Sequence, residues 1–156
     1  MDNSTAPERY SVFLGQYEHS IDDKGRLAIP ARFRADLADG LYLTAGVDRC
    51  LHVLTPAAWQ QLAEGIASLP WLNADARQVQ RNLFAMATHL APDRLGRIVV
   101  PTYLRTYAGL GSEVVVAGVF DRIEVWDRDA WELLRADFAE HGAAQVQGLS
   151  DLLPGR

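Results

Sequence analysis

The chain writes one short passage twice. "DDKGRLAIP" runs from Asp22 to Pro30, and "DRLGRIVVP" runs from Asp93 to Pro101. Asp22, Gly25, Arg26, Pro30 and Arg34 recur as Asp93, Gly96, Arg97, Pro101 and Arg105. Apolar positions match between them: Leu27 with Ile98, Ile29 with Val100, Phe33 with Leu104. Farther on the register slips by one residue, and "LHVLTPAAWQQL" lies over "IEVWDRDAWELL", with Val53, Trp59 and Leu62 meeting Val125, Trp131 and Leu134. Such self-similarity marks an internal duplication and two equivalent units. One unit alone, with few strands, is marginal as an independent fold. The two are therefore expected to complete one barrel, each covering strand edges that the other leaves unpaired.

Each copy carries the same local signals. "YEHSI" alternates Tyr17, His19 and Ile21, the period of a strand. Asp22–Gly25 is a turn, in which Asp bonds nearby N–H groups and Gly supplies positive φ. "RLAI" returns as a second strand, giving a hairpin. Pro30 suits the first position of a short helix ending near Gly40, and Pro101 opens one ending near Gly109. Apolar strands follow, "LYLTAG" with "LHVL" and "EVVVAGVF" with "RIEVW". Thr55-Pro56 and Asp127 are helix starts. Trp59, Leu62, Ile66 and Leu69 keep helical spacing, as do Trp131, Leu134 and Phe138, so both tryptophans read as core or interface anchors rather than base-stacking platforms. Asn73 caps a connecting helix with an apolar stripe of Ala76, Val79, Leu83 and Met86.

Composition removes several classes of function. Apolar residues make up 49% of the 156-residue chain, enough for a real core. No apolar run nears the roughly 18 residues of a membrane helix. The first residues lack the basic-then-apolar order of a secretory signal. Cys50 is the sole cysteine, so no internal disulfide is expected. The expected location is the cytoplasm. His19, His52, His89 and His141 are scattered, and Cys50 near His52 lacks the four-ligand pattern of structural zinc. No nucleophile elbow, P-loop or dinucleotide fingerprint is present. No catalytic residue, metal, cofactor or small-molecule substrate is expected.

The net charge of -5 argues against a generic nucleic-acid binder. The distribution argues otherwise. Asp22–Arg34 sets Lys24, Arg26, Arg32 and Arg34 against Asp22 and Asp23, and Asp93–Arg105 sets Arg94, Arg97 and Arg105 against Asp93. The duplicated passages are basic islands in an acidic chain. Asp22, Gly25, Asp93 and Gly96 brace the turns. Asp23 becomes Arg94 in the second copy, so the two aspartates are no catalytic pair. Arg26 and Arg97 have no comparable structural need, since an exposed ion pair contributes typically under ~1 kcal/mol. A guanidinium presents a planar fork that bonds guanine O6 and N7 or clamps phosphate. Arg26 and Arg97, helped by Lys24 and Arg94, are the candidate DNA-binding residues.

Three stretches, "VFLGQYEHSIDDKGRLAIPARFR", "HLAPDRLGRIVVPTYLRTYAGL" and "VAGVFDRIEVWDRDAW", resemble the MraZ family of bacterial transcriptional regulators, from Val12 to Phe138. The Asp-x-x-x-Arg pair occurs twice, as Asp22/Arg26 and Asp93/Arg97. The resemblance implies an α+β fold, an internally duplicated swapped-hairpin (AbrB-like) β-barrel with peripheral helices. It divides the chain into a flexible N-terminal tail (1–11), a first AbrB-like repeat (12–70), a connecting helix (71–88), a second repeat (89–141) and a C-terminal tail (142–156). It implies sequence-specific binding of short, guanine-containing direct repeats in promoter DNA upstream of the division and cell-wall gene cluster, usually as a repressor. The implied assembly is a closed homo-oligomeric ring, nucleoid-associated in the cytoplasm. Arg26 and Arg97 become the expected DNA contacts, with Lys24 a helper. Leu95 replaces the lysine in the second copy, beside Arg94. The rival reading is an oligomeric scaffold or protein-interaction module without direct DNA contact, which the acidic charge favours.

Overall fold

The computed structural model describes residues 11–155. The N-terminal tail expected over 1–11 lies outside them except for Ser11. The fold is mixed α+β, with antiparallel sheets and five α-helices among the described residues. In chain order the elements are β1 (Phe13–Ser20), β2 (Arg26–Ala28), a 3-10 turn (Ala31–Phe33), α1 (Arg34–Leu37), β3 (Leu41–Ala45), β4 (Leu51–Leu54), α2 (Pro56–Ala67) and α3 (Ala74–Ala85). Then come β5 (Thr88–Leu90), β6 (Arg97–Val99), α4 (Thr102–Ala108), β7 (Glu113–Phe120), β8 (Ile123–Asp127), α5 (Arg128–Gly148) and a last 3-10 turn (Ser150–Leu152).

The helices start where the sequence predicts. Thr55 accepts the Ala58 amide, Asn73 accepts those of Asp75 and Ala76, and Asp127 accepts that of Ala130. Each satisfies amides that a helix N-terminus leaves open. Helix α5 continues through Gly142 to Gly148, into the stretch assigned from sequence to a C-terminal tail. Trp59 stacks on Tyr42 at 4.9 Å and meets Phe84 edge-on at 6.0 Å. Trp131 is half-buried and donates to Gln16 at 2.6 Å.

The strands pair across the two copies. The large sheet has the order β1-β7-β8-β4-β3-β5, and β2 pairs β6 alone. Exchanging the copies turns β1 into β5, β3 into β7 and β4 into β8, and the order then reads as its own reverse. The expected hairpin of β1 and β2 is held by one bridge, Ile21 to Leu27. Beyond it the arms part, because β1 finds its ladder on β7 and β2 on β6. Backbone groups demand partners, and here the other copy supplies them.

The core sits between these sheets and takes matched residues from both copies. The first copy buries Leu27, Ile29, Phe33 and Val53 there, and the second buries Ile98, Val100, Leu104 and Val125. Burying a side chain of this size stabilises the fold by roughly 1.5–3 kcal/mol. The alternation leaves Arg26 and Arg97 on the outer face of the β2–β6 ladder, with Leu27 and Ile98 inward.

Gly25 and Gly96 close the two charged turns at φ of 81° and 75°. A Cβ at Gly25 would lie 3.2 Å from the Val100 carbonyl oxygen, and one at Gly96 would lie 2.6 Å from Arg34 Nε. Gly25→Ala and Gly96→Ala should each lower unfolding free energy by roughly 1–3 kcal/mol. Gly65→Ala, at an open site on α2, should raise it by roughly 0.5–1 kcal/mol. Urea denaturation of the three variants checks this, and a neutral alanine at either turn contradicts it.

Candidate nucleic-acid interface

Each charged turn is tied by its own aspartate. The Gly25 amide donates to the Asp22 carbonyl at 3.0 Å, and the Asp22 amide donates to the Arg26 carbonyl at 3.1 Å. Asp22 Oδ1 accepts the amides of Lys24 at 3.0 Å and Arg26 at 2.8 Å. The second turn repeats this bond for bond. Gly96 donates to the Asp93 carbonyl at 2.9 Å, Asp93 donates to the Arg97 carbonyl at 2.8 Å, and Asp93 Oδ1 accepts from Leu95 and Arg97, both at 2.9 Å. The aspartate side chain thus substitutes for backbone acceptors in a four-residue loop.

The remaining carboxylate oxygen holds the arginine. Arg26 Nε donates to Asp22 Oδ2 at 2.6 Å, and Arg97 Nε donates to Asp93 Oδ2 at 2.9 Å. The bond through Nε orients the guanidinium. Among the described residues no protein acceptor takes a hydrogen bond from its terminal amino groups. The side chains are 33% and 31% exposed, enough for the outer edge of each fork to meet a ligand. The backbone bond from Arg26 is the largest cause holding the Asp22 carboxyl below its usual range, and the bond from Arg97 does the same for Asp93. The aspartates are therefore fully charged at neutral pH.

The ladder brings the two arginines to one face. Arg26 lies opposite Val99 and Arg97 opposite Ala28. Directly opposed residues share a face, so the arginines are diagonal neighbours, about 7–8 Å apart at Cα in such ladders. Two crossed bonds lock the turns to the opposite copy: the Val100 amide donates to the Gly25 carbonyl and the Ile29 amide to the Gly96 carbonyl, both at 2.8 Å. Lys24, Arg94 and Leu95 stand exposed at the turn tips.

Two further cations belong to this surface and were not assigned to it from sequence. Arg34 donates from Nε to the Ile29 carbonyl at 2.8 Å and packs against Gly96 of the opposite turn. Arg105 lies correspondingly beside Gly25, its Nη1 3.8 Å from where a Cβ would stand. Their recurrence at the repeat spacing was a visible signal, but their crosswise placement depends on the pairing of β2 with β6.

Away from the turns, Cys50, His52 and Glu124 place one ligand atom each within 4.8 Å of one another. Burial, then the nearby Glu124, pushes the Cys50 thiol up to about 12. His52, with Trp126 and Arg122, brings the Glu124 carboxyl down to about 2.

The sequence profile of a family described as "MraZ protein, putative antitoxin-like" matches residues 12–82 and again 83–148. A protein of Moorella thermoacetica named "Transcriptional regulator MraZ" is 49% identical over 140 residues, covering 90% of this chain and 95% of that protein. Proteins of the same name from Herpetosiphon aurantiacus and Roseiflexus castenholzii are 44% and 43% identical over 139 and 141 residues. They cover 89% and 90% of this chain, and 97% and 99% of their own.

The lowered carboxyls set the pH behaviour of the turns. A carboxyl whose folded pKa is depressed stabilises the fold fully above its unfolded pKa, near 3.8. That stabilisation is lost as pH falls through the depressed folded value. The stability gap between the natural chain and an Asp22→Asn/Asp93→Asn double variant should be constant near neutrality and close on the acid side. Denaturation curves across that range measure it, and a gap independent of pH would sink the bracing role.

Proposed function

The chain belongs to the MraZ family, and from that premise we infer that it is a DNA-binding transcriptional regulator that reads promoter DNA through its two aspartate-braced arginines. The observation that carries this reading is the bond-for-bond equivalence of the turns. Two guanidinium groups stand on one outward face, each fixed at Nε and open at its other edge. An arginine so fixed has already lost much of the side-chain freedom that binding would otherwise cost.

In this reading Arg26 and Arg97 contact guanine edges in the major groove, and Lys24 and Arg94 meet the flanking phosphates. Arg34 and Arg105 add positive potential beneath the turns. The target is a set of short direct repeats upstream of the division and cell-wall gene cluster, and the outcome is repression. The chemistry is recognition without catalysis. The exchanged strands support the swapped-hairpin barrel, with β2 and β6 supplied by opposite copies.

A closed homo-oligomeric ring reconciles the acidic chain with DNA. One protomer makes few phosphate contacts, each a modest and salt-sensitive contribution. Protomers facing successive repeats raise the effective concentration of every later contact. Exposed apolar side chains support such an assembly: Trp71 and Leu72 between α2 and α3, and Leu134 and Phe138 on α5. No helix among the described residues is long and apolar enough to cross a membrane, in keeping with a nucleoid-associated protein of the cytoplasm.

Mobility-shift titrations with the DNA upstream of the protein's own gene test the reading. Arg26→Ala and Arg97→Ala should each weaken binding by roughly 1–3 kcal/mol, and the double variant should abolish it while eluting at the natural size. Lys24→Ala should lower the salt slope by about one. Undiminished affinity of the double variant at moderate salt would overturn the assignment.

A further inference from the structure

We propose that Cys50, His52 and Glu124 form a binding site for a thiophilic divalent cation of the Zn2+ class. Cys50 ends the tight loop that follows β3, closed by the Gly46 amide donating to the Cys50 carbonyl at 2.8 Å. His52 and Glu124 are direct partners on the neighbouring strands β4 and β8. A thiol, an imidazole and a carboxylate thus converge within 4.8 Å, a donor set suited to a borderline-soft cation.

The spacing of the cross-strand pair is one that such an ion can bridge. His52 Nε2 and Glu124 Oε2 stand 3.5 Å apart, long for a hydrogen bond. With metal–ligand bonds near 2.1 Å, a tetrahedral edge between nitrogen and oxygen is about 3.4 Å. The carboxylate is held for the purpose by Arg122 Nε donating to Oε2 and Trp126 Nε1 donating to Oε1, each at 3.0 Å. Outer partners of this kind orient ligands. Gly46 leaves the space: a Cβ there would lie 2.7 Å from His52 Nε2 and 2.8 Å from Cys50 Sγ. His52 is 19% exposed, so solvent reaches this edge of the site. As the metal–sulfur bond forms, the thiol proton leaves to solvent, and the thiolate and carboxylate bring two negative charges to the ion, one of them shared with the Arg122 guanidinium.

Co2+ titration of the tag-free full-length chain tests the site, because Cys50 is the sole cysteine and any thiolate-to-cobalt charge-transfer band must report on it. The expected result is one Co2+ bound per chain, with that band and the intense visible bands of a tetrahedral ion, both displaced by Zn2+. Cys50→Ser should abolish the charge-transfer band. His52→Gln and Glu124→Gln should each weaken binding by at least the roughly 10–100-fold seen when outer ligand partners are lost. Circular dichroism of each variant establishes folding, and His52→Gln, at a partly exposed position, keeps the test available if Glu124→Gln misfolds. Absence of a saturable charge-transfer band would overturn the proposal. So would a band unchanged in both His52→Gln and Glu124→Gln, which would leave the thiol acting alone.

Discussion

Two backbone hydrogen bonds, Val100 to Gly25 and Ile29 to Gly96, hold the charged turns of the two copies in register. These groups lie beside the two-stranded β2–β6 ladder, and each bond comes from the opposite copy. The requirement that buried backbone groups be bonded therefore fixes where both turns sit. It also explains the glycines, because each bonded carbonyl belongs to a residue in the left-handed region, closely approached by the opposite copy.

That frame converts a local motif into a surface. One Asp-x-x-x-Arg turn would present a single exposed ion pair, with little effect on stability or binding. Two of them, crossed on one ladder, put a pair of guanidinium groups on the same face at fixed spacing. Each aspartate engages its arginine through Nε and spends its other oxygen on the turn itself. The anion thus costs the site some positive charge and returns orientation. In a chain of net charge -5, orientation and local concentration of cations matter more than overall attraction.

Much of this was legible in the sequence because the duplication compares the chain with itself. Positions retained in both turns, Asp22/Asp93, Gly25/Gly96 and Arg26/Arg97, separated from positions free to change, such as Asp23 and Lys24. The caps Thr55, Asn73 and Asp127 were legible because capping is chemistry within four residues. Pairings between distant strands were not. Nothing in "YEHSI" says that β1 leaves its hairpin partner for β7. Arg34 and Arg105 recur visibly, but only the pairing of β2 with β6 puts each beneath the opposite turn. His52 and Glu124 become neighbours through the β4–β8 ladder, so along the chain Cys50 and His52 stand without a third ligand. The apolar period fades after Phe138, yet α5 runs on to Gly148, because helical backbone bonding continues without an apolar stripe.

The central claim is that the two braced arginines act together as the reading head for DNA. A structure of the full-length chain bound to the duplex upstream of its own gene measures this most directly. The account requires the terminal amino groups of Arg26 and Arg97 within hydrogen-bond distance of base edges, with both Nε atoms still bonded to Asp22 and Asp93. DNA lying against another face, or engaged with neither arginine, would contradict it.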